Sequence, residues 1–441
     1  MRGSSSVDDY VAQLRVKGER LYFTDPPLPQ MTNGTPGIDK LVSAANSVGG
    51  LSPIKVMDVS TSGVAVVAWK QLPLIDGMAR TNTMAWSQLL AILGNNAKPL
   101  REIRESVSEP EPDTGWQTNI FTVRRTFIQQ RTAVQLVSAA TVAALHETNY
   151  DDAFENLQAL THLSQLERND MTLVAQMIRI AVTGVGLATT WEALQSDGLT
   201  DAQWSQIQTS WGKVNVLQAI ERGFVGERMY CFNHFEMVRT GQTNSFNWSG
   251  SRPDMRDRVA TTIWRATVAN QDEMFYLKTI GRYIDNCRLV TNGIGAVEVS
   301  KASQREYLQL DKVLSKSFTS FKYPMSLRAI PNFNRAVTTA FHCETQRRLA
   351  IMAIAIKRYQ LRHGKAPETL TALVPEFCSE VLLDPMDWKP LRYRVNADGS
   401  FTLYSIGDDG KDDGGDTTAK ADWLQARDIV WPKAIQKNAL N

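Results

Sequence analysis

The sequence is poor in the residues that usually announce chemistry. Its 441 residues include 4 cysteines and 5 histidines. Cys231, Cys287, Cys343 and Cys378 lie far apart and none belongs to a Cys-x-x-Cys pair. Buried free thiols are therefore expected, with a single disulfide as the alternative in an oxidising compartment. There is no Gly-x-Ser-x-Gly, no Walker loop and no Gly-x-Gly-x-x-Gly. His234-Phe235-Glu236 and His342-Cys343-Glu344 each give His-x-Glu, but the Pro-Cys-x-x-Cys that a zinc deaminase also needs does not follow. Nothing gives His146, His162, His234 and His342 the spacing of metal ligands, so they read as core or helix-surface histidines. Glu102 and Glu105, three apart on a predicted surface helix, read as solvated charge rather than an acid–base pair.

Charge of one sign is also lacking. Forty-eight Lys and Arg face 46 Asp and Glu, for a formal net charge of +2, and no basic stripe is interleaved with aromatics. No nucleic-acid or anionic-membrane partner is indicated. No window of 18 apolar residues is found, so no spanning helix is expected. Met1-Arg2-Gly3-Ser4 leads straight into polar sequence without a signal peptide. That opening reads as a vector-derived leader or a truncation, and a native signal or anchor removed ahead of it is an expectation.

What is present is ordinary globular material: 43% hydrophobic and 21% charged residues, in a length that suggests two to three domains. Residues 1–115 read as an N-terminal segment of short helices with one small hairpin. Helices are expected over 7–23, near Gly37–Ser47 and over Trp86–Leu93, and strands over Lys55–Ser60 and Val64–Trp69. Glu105 to Gly115, with Pro110 and Pro112, reads as an exposed linker. Residues 116–335 read as a helical domain. Leu173, Met177 and Ile180, with the neighbouring row Val174, Ile178 and Ala181, give the wide apolar face of a core helix. Thr200-Asp201-Ala202-Gln203 is a capping box, and Trp204, Ile207 and Trp211 share a face behind it. Gly241 to Asp254 is a polar loop. Arg256–Cys287 and Lys301–Leu314 continue the helices. No fixed-period repeat and no long heptad run occurs.

The densest run of ordered signals is Arg347 to Trp431, within a third region, residues 336–441. Leu349, Met352, Ile356 and Tyr359 recur at helical spacing. Arg362 and His363 suit the negative end of the helix dipole, Gly364 can take the left-handed C′ conformation, and Pro367 blocks continuation. Glu368 to Val374 reads as a short second helix. Asp384-Pro385-Met386-Asp387-Trp388-Lys389-Pro390 is a turn. Leu391-Arg392-Tyr393-Arg394-Val395 alternates as a strand with one wet face, Asn396-Ala397-Asp398-Gly399-Ser400 is turn chemistry, and Phe401-Thr402-Leu403-Tyr404 alternates again, which makes a hairpin. An acidic glycine loop, Gly407 to Asp416, follows, and later Asp428-Ile429-Val430-Trp431.

In that order these pieces resemble the globular domain of the major pseudopilin of type II secretion. The resemblance covers about a fifth of the chain. It departs from the pattern in an Asp-Pro turn one residue longer, and in the absence, ahead of the domain, of the apolar helix that builds the filament. The resulting fold class is α+β: a large, mostly helical N-terminal domain followed by a small pseudopilin-like domain of one helix and an antiparallel sheet. The resemblance implies a periplasmic or cell-surface, non-catalytic protein associated with the envelope or secretion. Its partners would be other envelope or secretion-system proteins, and a membrane would be reached only through an anchor absent from this chain. A hydrolase with its site in the helical domain is the alternative.

The resemblance also implies calcium. Asp409, Asp413 and Asp416 crowd the glycine loop and Asp428 lies downstream. Calcium takes six to eight hard oxygens, and the glycines would let the carbonyls of Ile406 and Gly414 turn inward. Asp409 and Asp416 fall on the positions that matter most in the pseudopilin. An EF-hand is excluded, because counting from Asp409 the third and twelfth positions are Lys411 and Lys420. A mobile acidic turn is the bland alternative.

Overall fold

The computed structural model describes residues 4–25, 36–50, 74–75, 83–84, 86–108, 126–246, 253–303, 321–330, 333–415 and 428–431. The fold is mostly helical, with α1 (Ser4–Val16) and α2 (Pro36–Asn46) ahead of a two-residue ladder of β1 (Leu74–Ile75) and β2 (Thr83–Met84). Next come α3 (Trp86–Asn95), α4 (Ala97–Val107), α5 (Phe127–His146), α6 (Tyr150–Leu163), α7 (Leu173–Leu194), α8 (Asp201–Gly212) and α9 (Val216–Arg239). The chain continues through α10 (Met255–Thr267), α11 (Ala269–Thr291), a helix α12 described over 296–303, α13 (Ser326–Ala329) and α14 (Phe333–His363). It closes with a 3-10 turn (Leu370–Leu373), β3 (Arg392–Val395), β4 (Phe401–Ser405) and β5 (Ile429–Val430). The last three strands form one antiparallel sheet in the order β3-β4-β5. Tyr393 opposes Leu403, and Ser405 opposes Ile429.

The expected hairpin over Lys55–Ser60 and Val64–Trp69 lies outside the described residues, as does most of the segment expected as a linker. Glu105 is not in a linker: it belongs to α4 and pairs with Lys40 of α2 at 2.5 Å. The helix expected over Arg256–Cys287 is two helices. They meet at Val268, the C-cap of one and the N-cap of the next. Buried Asp272 receives the Trp264 indole N–H at 2.9 Å, the Met325 and Ser326 amides and the Ser326 hydroxyl, which fixes α10, α11 and α13 together. No proline or glycine marks that break, so period alone could not show it.

Helix α7 meets the length and composition of a membrane span, which corrects the expectation that no such helix exists. It packs on α5, α6, α9 and α14 as a core helix of the bundle. Its close approach to α8 uses Gly186, where a Cβ would stand 2.7 Å from the Trp211 ring. Trp204, Ile207 and Trp211 are all fully buried, and Thr200 and Gln203 complete the capping box. The four cysteines are free, three of them buried.

Helix α14 runs between the bundle and the small sheet. Every residue from Leu349 to Ile356 is buried. It packs against α7, α8 and α9 and also against β4, β5 and the 3-10 turn. Polar side chains tie the junction: Arg358 donates to Asp201, to Gln208 and to the Phe377 carbonyl, all on elements other than its own. The helix stops where the sequence says. Gly364 takes φ +71°, a left-handed conformation that costs glycine nothing.

Candidate functional site

The acidic glycine loop is held at both ends. At its start, Ser405 and Ile406 reach Asp384 of the Asp-Pro turn: the Ser405 hydroxyl donates at 2.8 Å and the Ile406 amide at 3.1 Å. The same fully buried carboxylate accepts from the Met386 amide and from Arg392 at 2.9 Å each. Burial pushes the Asp384 carboxyl up, and these donors pull against it. The next residue to be fixed is Asp408, whose two oxygens lie 2.8 Å from Nε2 of buried His342 on α14. Gly410 then passes so close to α12 that a Cβ would stand 2.5 Å from Val297.

From there the loop folds back over the sheet. Tyr404 donates to Asp412 at 2.9 Å, and a Cβ on Gly415 would lie 2.9 Å from Thr402 and 3.1 Å from Tyr404. Thr402 and Tyr404 point to one face of β4, Leu403 and Ser405 to the other, and all four are buried. Both faces of β4 are thus covered, while Arg394 on β3, the strand whose alternation predicts a wet face, is exposed. Gly407, Gly410, Gly414 and Gly415 all have positive φ, and at Gly415 both the dihedral and the contact demand glycine.

Asp428 closes the loop. It is fully buried, and its Oδ2 accepts the Gly415 amide at 2.8 Å. Its Oδ1 is buried with no hydrogen-bond partner, and so is Oδ2 of Asp413. Burial pushes the Asp428 carboxyl up, the neighbouring charges of Asp412 and Asp413 add to this, and the Gly415 and Asp413 amides oppose it. Buried carboxylate oxygens without donors are uncommon in finished structures and ask for an explanation such as an ion. Carboxylates that repel one another in a glycine-rich loop have the donor chemistry of a hard cation such as calcium. Asp413 and Asp428 fit that role.

The other residues expected around such an ion are placed differently. Asp409 is exposed and accepts its own Lys411 amide at 2.9 Å, a local turn. The Gly414 carbonyl receives the Arg394 guanidinium. Ile406 is buried, with its amide on Asp384. Asp416 lies outside the described residues. Among the described residues no three His, Cys, Asp or Glu side chains gather as metal ligands. His146, His162, His234 and His342 stand on four different helices, and His342 is committed to Asp408.

In comparisons with known proteins, no family model, no curated protein and no solved structure matches this chain. Two parts of the site, the Asp384 hub and the His342–Asp408 contact, escaped the sequence reading. Asp384 was visible there only as a turn residue before proline, and nothing local pairs residues 342 and 408.

Proposed function

We propose that this is a non-catalytic extracytoplasmic protein of the envelope or secretion apparatus, in which the helical bundle carries a calcium-stabilised, pseudopilin-like module. The reading rests on the ordered motifs of residues 347–431, and the observation that carries it is the pair of buried, donorless carboxylate oxygens of Asp413 and Asp428. A calcium ion at these oxygens would offset the repulsion among Asp412, Asp413 and Asp428. It would fix the loop over β4, and its role there is structural. Calcium at millimolar concentration is found outside cells, which is why the module belongs to an extracytoplasmic setting. Its partners are then other envelope or secretion-system proteins.

The test is melting of the full chain with calcium, with magnesium and with chelator. The full chain is needed because α14 is shared between module and bundle. Affinity is expected on the order of 0.1–1 mM, as in extracellular modules. At a hundredfold excess over the dissociation constant, calcium would add about 2.7 kcal/mol. Asp413→Asn and Asp428→Asn should abolish the response. Equal melting in calcium and chelator would remove the site, as would a variant that responds like the parent.

A further inference from the structure

Helix α10 has two faces, and the fold uses only one of them. On the inner face Trp264 packs on Phe235 and Phe246 and donates its indole N–H to Asp272. Arg265 donates to the Val238 and Thr243 carbonyls, and Thr261 is fully buried. On the opposite face Met255, Val259 and Ile263 follow one another at four-residue spacing and are 80%, 55% and 58% exposed. Residues four apart share one side of a helix, so the three make a ridge about 12 Å long. Thr262 and Ala266 complete that side and are exposed too.

The hydroxyls beside the ridge are satisfied within the helix. Thr262 donates to the Arg258 carbonyl at 2.8 Å and Thr267 to the Ile263 carbonyl at 2.7 Å. The acids of α10 face elsewhere. Asp257 is half-buried on the inner side, and Asp254 is the N-cap, accepting the Asp257 amide at 2.7 Å. Arg256 and Arg258 flank the ridge, each about a quarter-turn from it on opposite sides. Both are exposed, and among the described residues neither guanidinium has an ion-pair or hydrogen-bond partner.

Single apolar side chains on a surface need no explanation, but a contiguous row rimmed by polar residues marks a contact. Size and charge decide what makes it. A stable protein interface buries roughly 800 Å² per partner, which a convex ridge three side chains long does not approach. A bilayer sets no such minimum. Apolar side chains enter the boundary between headgroups and acyl chains, while long cationic side chains on the flanks stretch to the phosphates. Anionic lipid attracts each arginine held near its surface. The net charge of +2 conceals this, because it sums over the whole chain.

We propose that α10 is a docking ridge for an anionic phospholipid surface. Met255, Val259 and Ile263 insert among the lipids, and Arg256 and Arg258 bind phosphates on either side. The helix lies in the plane of the surface and the rest of the bundle stays outside it. This contact uses the folded bundle itself and is independent of calcium in the C-terminal module.

The experiment is co-sedimentation of the full chain with vesicles of phosphatidylcholine alone and of phosphatidylcholine and phosphatidylglycerol in equal parts. EGTA is present, so that calcium bridges nothing between protein and lipid. Binding to the mixed vesicles, little to the zwitterionic ones, and a decline with added sodium chloride are expected. Val259→Asn/Ile263→Asn and Arg256→Gln/Arg258→Gln should each weaken partitioning by about tenfold. Their melting temperatures should match the parent's, since all four side chains are exposed. Arg101→Gln/Arg131→Gln, exposed on α4 and α5, makes the same change in net charge and should bind like the parent. Absence of binding to the mixed vesicles would overturn the proposal, as would equal binding to both kinds. Ridge variants that bind like the parent, or a control that loses as much as the Arg256→Gln/Arg258→Gln pair, would also overturn it. Sedimentation velocity without lipid tests the remaining occupant: a dimer that Val259→Asn/Ile263→Asn dissociates would give the ridge to a second copy of the chain and refute the lipid contact.

Discussion

Replacing Glu273 by glutamine should remove a pH dependence from the stability of the fold. Glu273 on α11 is fully buried, and neither carboxylate oxygen has a hydrogen-bond partner. Arg239 of α9 approaches to 3.4 Å, while Glu236 of α9, Asp8 of α1 and Asp272 of α11 add negative charge. Burial is the largest influence and carries the carboxyl up to about 7, from an ordinary value of 4.5; Arg239 opposes it and the three acids reinforce it. Between those two pH values the folded chain keeps a proton that the unfolded chain releases. The contribution is therefore whole below pH 4.5, falls as the pH rises to about 7, and is flat above. At about 1.4 kcal/mol per pH unit the loss comes to about 3 kcal/mol. In a chain of this length that is about 3–4 °C in melting temperature. Glutamine is neutral at every pH and keeps the shape of the protonated acid. Parent and Glu273→Gln should melt together near pH 4.5, and the variant should melt higher by this margin at pH 8. Glu227, also pushed up to about 7 by burial, is present in both proteins, so the difference between their curves reports Glu273 alone. Parallel curves from pH 5 to 8 would refute the reasoning.

Asp384→Ala removes the acceptor of the Met386 and Ile406 amides and the Ser405 hydroxyl, and should cost about 3 kcal/mol in urea unfolding. Gly226→Ala drives a methyl to within 1.7 Å of the Met171 carbonyl oxygen, so a loss of about 3 kcal/mol or more is expected. Gly184→Ala, in the middle of α7 with open space around its Cβ position, should instead gain about 0.5–1 kcal/mol. Reversal of that order in a thermal-melting comparison would discredit the packing of the α6–α7 turn on α9.

The features legible in the sequence are those written within one or two helical turns. The stop of α14 at His363 and Gly364, the capping box of α8 and the register of the β3–β4 hairpin all depend on residues near one another in the chain. What stayed hidden depends on distant partners. Alternation in Phe401–Tyr404 marks two faces of a strand, but cannot say that Gly415 will cover the outer one. The resemblance directed attention to Asp409, whereas the two donorless oxygens belong to Asp413 and Asp428, fifteen positions apart but adjacent through the Gly415 and Asp413 amides. Arg179 sits among the apolar rows of α7, where its charge is a sequence-level anomaly, yet its neighbours come from the α6–α7 turn and from α9.

The placement of α14 has a consequence for synthesis. It begins at Phe333, so about three-quarters of the chain leaves the ribosome before it. Helices α7, α8 and α9 each pack one side on this late segment, and until it arrives that side stays uncovered. Chains stalled or cleaved upstream of α14 would present that surface to chaperones and to one another. Completion of the bundle and closure of the sheet then become a single late event, in which one helix docks on two sides at once.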